Sequence, residues 1–291
     1  MMEIPKLPLG KGVEILVDWI DDYFGWVLDL ITTTLKYLIS LFTDVLMYLP
    51  PLVMILLITL IAGLAQNRAA LMNRTADKKK LKFDLALLTL AGLALIWNLE
   101  LWDMAMETLS LVISATIIAL LLGIPLGILS ARNDTLNSIM RVILDFMQTM
   151  PSFVYLIPAV IFFSLGNVPG VIATVIFAMP PAIRLTNLGI RQIPKELSEV
   201  AEAFGATSWQ KLIKVEIPVA VPTIMAGVNQ CIMLALSMTV IASMIGAGGL
   251  GYQVLYGIQR VDIGAGFEAG LAIVIIAIIL DRLTQSLAPS R

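Results

Sequence analysis

The sequence is poor in charge and contains no histidine. Of its 291 residues only 14% are charged and 59% are hydrophobic, whereas soluble domains carry about 25% charged residues. The missing histidine removes the commonest metal ligand and acid–base group. The single cysteine, Cys231, cannot form an intrachain disulfide, and a net charge of -2 offers no basic surface for nucleic acid. Composition therefore excludes a soluble globular protein and argues against ordinary catalysis.

Motifs for binding nucleotide phosphates are absent or misplaced. No G-x-x-x-x-G-K-[ST] occurs, so the chain lacks a phosphate-binding loop and any ATP hydrolysis must belong to another subunit. Gly246, Gly248 and Gly251 match the dinucleotide-binding spacing, but they end an apolar run rather than follow a strand. We interpret them as a tight turn. A membrane-embedded hydrolase is also disfavoured, because no histidine is available to activate a nucleophile.

Charge-free runs long enough to cross a bilayer dominate the chain, for example residues 49–66, 146–183 and 217–259. They predict an all-α polytopic membrane protein with about seven transmembrane helices. The expected spans are 49–66, 83–101, 105–130, 139–165, 168–192, 217–245 and 267–287. We divide the chain into an N-terminal region (1–48), two accessory spans (49–101) and a five-helix core (102–291).

The N-terminal region carries an amphipathic pattern rather than a span. Between residues 13 and 47 polar residues recur every three or four positions among apolar ones, which predicts one amphipathic helix or two in series. Trp19, Tyr23 and Trp26 suit a membrane interface. A transmembrane helix over 24–41 is the alternative, but Asp29 and Lys36 would each cost about 2.5 to 3.5 kcal/mol near its centre.

Lysine and arginine set the predicted orientation. Fifteen of the 19 basic residues fall in alternate connections, namely 67–82, 132–141, 184–214 and 282–291. By the positive-inside rule these connections and the C-terminus are cytoplasmic, and the N-terminal helix is external.

Residues 193–218, which we call the EAA segment, are the longest polar interruption between two late apolar runs. Pro194 suits a helix start and Gly205 a helix end, and Pro218 is predicted to open the next span. We expect two short helices lying across the cytoplasmic membrane surface. Small side chains there would let another protein approach closely, although a plain solvated loop fits the composition as well.

Three features of the EAA segment match a known pattern. Glu199-Val200-Ala201, then Gly205, then Val215, Ile217 and Pro218 have the spacing of Glu-Ala-Ala, three residues, Gly, nine residues, Ile-x-Leu-Pro. This segment resembles the EAA loop of bacterial ABC importer permeases, with conservative departures at Val200, Val215 and Ile217. The stretches 144–158, 225–251 and 266–285 narrow the resemblance to the glycine betaine and proline betaine importers, the osmoprotectant branch of the type I importers.

The resemblance implies a set of partners and roles. The chain would be a multi-pass permease of the bacterial cell membrane, paired with a second copy, two ABC ATPase subunits and an extracytoplasmic binding protein. It would bind no cofactor, because ATP and Mg²⁺ belong to the ATPase. Coupling to the ATPase would fall to Glu199, Ala201, Glu202, Gly205, Ala206, Ile217 and Pro218.

Few polar or aromatic groups lie within the predicted spans, and such groups mark either a pathway or a helix contact. Asp145 and Arg184 lie at comparable depth and are expected to pair, with a gate role as the alternative. Aromatic faces attract methylated cations. Candidate pathway residues, each of which also suits core packing, are Met150, Phe153, Tyr155, Asn229, Met233, Ser237 and Met238.

The competing function is a self-sufficient carrier for small zwitterions, driven by an ion gradient. Such carriers typically show internal repeats and binding charges or broken helices at the midplane. Neither is convincing in this sequence, so the ATP-driven importer is the leading hypothesis.

Overall fold

A computed structural model of the chain describes residues 9–72 and 83–287, and within these ranges it contains helices and no strand. The α-helices in chain order are α1 (Leu9–Met47), α2 (Pro51–Met72), α3 (Asp84–Asn98), α4 (Trp102–Arg132), α5 (Asp134–Thr149), α6 (Leu156–Phe163), α7 (Asn167–Arg191), α8 (Lys195–Ala203), α9 (Ser208–Lys211), α10 (Ile217–Ala242), α11 (Leu250–Arg260) and α12 (Ile263–Leu287). The all-α fold class is confirmed.

Small residues let α4, α7 and α10 pack at the centre of the bundle. A Cβ added at Gly123 would lie 3.1 Å from the Cβ of Ala182, and one at Gly127 would lie 2.6 Å from the Cβ of Thr186. On the other side of α7, a Cβ at Gly227 would lie 3.1 Å from that of Leu185. Glycine thus allows close approach of the helix backbones, as in other membrane bundles.

Gly127→Ala is expected to destabilise the protein by about 1 to 3 kcal/mol, since overpacking a tight contact has that typical cost. Besides Thr186, the new methyl would lie 2.8 Å from the backbone oxygen of Ile183, which cannot rotate away. Thermal unfolding in detergent measures the effect. Gly270→Ala is the matched control, because a Cβ there meets nothing within 4 Å; equal melting temperatures for the two variants would refute the close-contact argument.

Five helical stretches are long and apolar enough to cross a bilayer, namely 10–47, 102–132, 167–191, 208–245 and 263–287, and a bent pair of helices raises the count to six. The apolar stretches 51–67 of α2 and 84–98 of α3, which correspond to the two predicted accessory spans, are shorter than 18 residues. The number of crossings, predicted as about seven, therefore stays a prediction. The basic loop with Lys78, Lys79 and Lys80 lies outside the described residues.

The predicted span over 139–165 is broken into two helices. α5 and the helical stretch Ser152–Phe163 are bent by 107°. Met150 has an extended backbone (φ -71°, ψ 135°) at this break. Pro151 explains the bend, because proline disfavours the α conformation in the residue before it and has no N–H to donate.

The N-terminal region forms one continuous helix, α1, and its second half packs on the bundle. Leu35 and Ile39 are buried against the central core. Thr43 Oγ1 donates to Ser110 Oγ of α4 at 2.8 Å, and Ser110 Oγ donates to the carbonyl oxygen of Ile39 at 2.9 Å. Trp19 and Trp26, in the first half, are exposed. The external, interfacial position of α1 stays a prediction.

Candidate functional site

The EAA segment begins with a short helix that proline and glycine delimit. Pro194 precedes α8 in an extended conformation, and Gly205 follows it with φ +75°. The Gly205 N–H donates to the Glu202 carbonyl oxygen at 2.9 Å, and the Ala206 N–H donates to that of Ala201 at 3.0 Å. These two bonds form a Schellman motif, whose left-handed position favours glycine.

The second half of the EAA segment differs from the expectation. Thr207 and Gln210 form a capping box that starts α9, but no break separates α9 from α10. A π-helical turn, Leu212–Glu216, joins them into one helical run from 208 to 245. Pro218 stands in the first turn of α10, as predicted, but the helical run extends back through the π-helical turn to Ser208. A single π-helical turn within a longer helix is a π-bulge.

The outer surface of the EAA segment is more apolar than its composition suggests. Within α8, Ala201 lies on the buried face and Glu199 is exposed to solvent. Phe204 is 88% exposed and Trp209 66% exposed, on either side of the Gly205 turn. Sequence reasoning missed both aromatics. Their signal was an aromatic residue on each flank of a glycine turn inside an otherwise polar loop.

Two ion pairs hold the EAA segment in place. Lys211 Nζ lies 2.6 Å from Glu202 Oε1, so α9 is tied to α8. Arg132, the last residue of α4, donates from Nη2 to the Ser208 carbonyl oxygen at 3.1 Å and to Glu216 Oε2 at 2.9 Å. Partly exposed pairs contribute about 0 to 1 kcal/mol to stability, so their main effect is to fix position.

Polar side chains connect α5 to α7 near the same end of the bundle. Arg184 Nη2 lies 2.5 Å from Asp145 Oδ1, so the expected partners are in contact. The pair is half-exposed rather than buried, and it lines a cleft of about 440 Å³. Asn187 Nδ2 donates to Asn137 Oδ1 at 3.0 Å, and Arg191 Nη2 lies 2.7 Å from Asp134 Oδ1. α5 is thus bound to α7 largely by polar bridges.

Part of the predicted pathway set is packed in the core. Tyr155 and Met238 are buried in one apolar cluster, with Met150 against it. The Tyr155 hydroxyl donates to the Met147 carbonyl oxygen across the bend. Its ring meets that of Phe177 edge-on, with 5.9 Å between centroids. These contacts fit the packing alternative for Tyr155 and Met238.

The remaining predicted pathway residues do not converge on one surface. Phe153 and Ser237 are exposed, and Ser237 Oγ donates to the Met233 carbonyl oxygen at 3.0 Å. Asn229 Nδ2, in the middle of α10, donates to Asp281 Oδ1 of α12 at 2.8 Å. The seven residues therefore lie in at least three separate environments.

At the opposite end of the bundle, residues 246–251, the glycine loop, turn tightly against the starts of α4 and α7. Gly249 has φ +82°, and the Leu250 N–H donates to Thr108 Oγ1 at 2.8 Å. The Gly248 N–H donates to Asn167 Oδ1 at 2.8 Å, while Asn167 Nδ2 donates to Glu107 Oε1 at 3.1 Å. A Cβ at Gly248 would lie 2.1 Å from Glu107 Oε1, so a side chain there would displace the Glu107 carboxylate.

The EAA segment is an exposed helical segment between α7 and α10, the two helices that pack most extensively on each other. A helical bundle with such a segment is the architecture of a transport permease subunit. Residues 123–291 match the family model described as "Binding-protein-dependent transport system inner membrane component", and the chain belongs to that family.

Individual relatives extend the similarity over almost the whole chain. The chain is 50% identical over 286 residues to the glycine betaine/carnitine transport permease protein GbuB of Listeria monocytogenes, covering 98% of this chain and 97% of that one. It is 45% identical over 287 residues to the glycine betaine transport system permease protein OpuAB of Bacillus subtilis, covering 99% and 96%. In Escherichia coli, the glycine betaine/proline betaine permease ProW is 45% identical over 280 residues, with 96% of this chain and 75% of that one covered.

A solved structure supports the fold. Inward-facing MetNI, a methionine ABC transporter, has a chain that superposes with a TM-score of 0.59 and 22% identity, covering 67% of this chain and 99% of that one. The likeness establishes the importer-permease fold, in agreement with the family match.

Proposed function

We propose that the chain is the membrane permease of an ATP-driven importer for glycine betaine or a related methylated zwitterion in the bacterial cell membrane. The family match and three glycine betaine permeases at 45–50% identity over nearly the whole chain support the substrate class. The observation that carries the mechanism is the EAA segment, where a glycine turn with open space around it stands at one end of the bundle.

The EAA segment is proposed to dock on a separate ATPase. Gly205 has nothing within 4 Å of its Cβ position, and the neighbouring Phe204 and Trp209 are largely exposed, so a partner surface can approach closely. In this proposal Glu199, Glu202 and Ala206 belong to the contact surface, Ala201 supports it from beneath, and Ile217 and Pro218 carry it into α10. ATP and Mg²⁺ bind to the ATPase.

The complex is proposed to contain two permease chains, two ATPase subunits and an extracytoplasmic binding protein. In this arrangement the binding protein supplies selective recognition, which fits the small number of polar groups within the described apolar helices. The permease then needs only a weak passage that opens alternately to either side. Residues 102–291 form its core, 49–101 are accessory, and 1–48 lie at the outer membrane interface.

Reconstitution in liposomes tests the proposed function. The chain is purified with its cognate ATPase and binding protein, and uptake of radiolabelled glycine betaine is followed with and without ATP. We expect uptake that requires ATP and both partners. Uptake by the permease chain alone under a sodium or proton gradient would establish the carrier hypothesis instead.

The proposed orientation predicts the labelling pattern of single cysteines in intact cells. With Cys231, which is fully buried, replaced by alanine, a cysteine at position 21 is expected to react with an impermeant maleimide and one at position 79 to be protected. The reason is the concentration of basic residues in 67–82. Position 79 should react after permeabilisation, which controls for reactivity. Labelling at 79 but not at 21 in intact cells would reverse the topology.

A further inference from the structure

Arg132 is the residue through which α4 contacts the EAA segment by hydrogen bonds. One guanidinium nitrogen, Nη2, reaches both the Ser208 carbonyl oxygen and Glu216 Oε2. These two acceptors begin and end the stretch 208–216 that contains the π-helical turn. The Glu216 side chain is only 13% exposed, whereas that of Arg132 is 34% exposed. Arg132 thus clamps the whole second half of the EAA segment to the tip of α4.

α4 runs between the two ends of the bundle as one helix of 31 residues, with Pro125 inside it. At 1.5 Å per residue this length corresponds to about 46 Å. Its glycine contacts with α7 leave no slack, since added Cβ atoms at Gly123 and Gly127 would lie 3.1 Å and 2.6 Å from α7 side chains. Packed interfaces of this kind shift as units rather than deform continuously.

The other end of α4 holds the glycine loop. Glu107 and Thr108 lie in its second turn, and Thr108 Oγ1 accepts the Leu250 N–H. Glu107 reaches the loop through Asn167, and its carboxylate fills the space that a side chain at Gly248 would need. Movement of α4 together with the packed α7 therefore acts on the EAA segment at one end and on the glycine loop at the other.

We propose that Arg132 is a positioning residue that transmits movement of the EAA segment into α4, and that α4 conveys it to the glycine loop at the opposite end of the bundle. This inference rests on the proposed function, because the ATPase is the source of the movement. The clamp makes the two ends of α4 respond together when the ATPase moves the EAA segment.

The test measures glycine betaine taken up per ATP hydrolysed in the reconstituted complex. Arg132→Gln is expected to lower this ratio by about tenfold, within the usual range of coupling between distant sites, while ATP hydrolysis continues. Glu216→Gln removes the ion pair but leaves the bond from Arg132 to Ser208, so it should lower the ratio less, and the double variant should be no worse than Arg132→Gln. Exchanging the charges (Arg132→Glu with Glu216→Arg) should recover part of the ratio.

Arg191→Gln is the matched control. Arg191 Nη2 also donates to a carbonyl oxygen near the end of α4, that of Ser130 at 3.1 Å, and pairs with Asp134, but neither acceptor belongs to the EAA segment. Its ratio should equal that of the wild type. A wild-type ratio in Arg132→Gln, or an equal fall in Arg191→Gln, would overturn the proposal.

Two outcomes separate failure of this inference from other failures. If the complex with Arg132→Gln does not assemble, the charge-exchanged variant is the test. If that variant assembles but its ratio of uptake to ATP hydrolysis is as low as that of Glu216→Gln, the proposal is also overturned. Absence of ATP-dependent uptake by the wild-type complex would instead refute the proposed function itself.

Discussion

Replacing Gly205 by leucine is expected to abolish the stimulation of ATP hydrolysis by glycine betaine while leaving the chain folded in the membrane. Inside this chain a side chain at 205 meets nothing within 4 Å. The left-handed backbone (φ +75°) costs a residue with a Cβ about 1 to 2 kcal/mol. That cost is confined to one helix end, whereas the leucine projects toward the proposed ATPase surface and holds it away.

Glu199→Lys tests the same surface by charge. Glu199 is exposed in the middle of α8, so its reversal breaks no hydrogen bond or ion pair among the described residues, yet it places a cation on the proposed docking surface. The measurement is ATPase activity of the assembled complex with and without betaine and its binding protein.

Gly205→Asn and Glu199→Gln are the controls. Asparagine tolerates the left-handed conformation better than other side chains, so this variant separates backbone strain from bulk. Glutamine keeps the size of Glu199 without its charge. Should Gly205→Leu and Glu199→Lys both retain wild-type stimulation, the EAA segment would be only a solvated connection.

Deletion of residues 1–46 is expected to lower stability in detergent markedly, because it removes the part of α1 that packs on the bundle. Burial of Leu35 and Ile39 is worth about 1.5 to 3 kcal/mol for each side chain. The same deletion removes Thr43 and so leaves Ser110 without its two partners on α1. Core helices and the EAA segment should still form.

A shorter deletion, of residues 1–28, is the matched control. It removes the exposed aromatics Trp19 and Trp26 but keeps Leu35, Ile39 and Thr43. Melting temperature and co-purification with the ATPase are compared for the two truncations. Unchanged stability and transport in the longer truncation would show that α1 does not brace the core.

Local rules made the first half of the EAA segment predictable. Proline before a helix and glycine after it act through φ angles of single residues, so Pro194 and Gly205 delimit α8 where the sequence placed its ends. The same rules place Pro218 in the first turn of α10, but they do not predict the π-helical turn that joins α9 to α10.

Contacts between distant segments could not be read from the sequence. Arg132 and Glu216 are 84 residues apart, and no periodicity connects them. The pathway set stays a prediction: residue type indicates that Phe153 and Tyr155 are aromatic, but it does not indicate that the bend turns the first outward and the second into the core. The pair of Asp145 and Arg184 is predictable, because the two residues lie at comparable depth in their predicted spans and carry opposite charges.

The 107° break between α5 and α6 also determines which side of the chain can meet hydrocarbon. Lipid tails cannot hydrogen-bond the irregular backbone of such a break, so at membrane depth it must face protein or a water-filled cavity. The Tyr155 hydroxyl satisfies one carbonyl, that of Met147, yet Pro151 and Phe153 remain uncovered by this chain. In a permease of two copies, water and a second protein surface meet along the boundary between them. In the proposed assembly of two copies, we expect the break to lie on the flank turned toward that boundary.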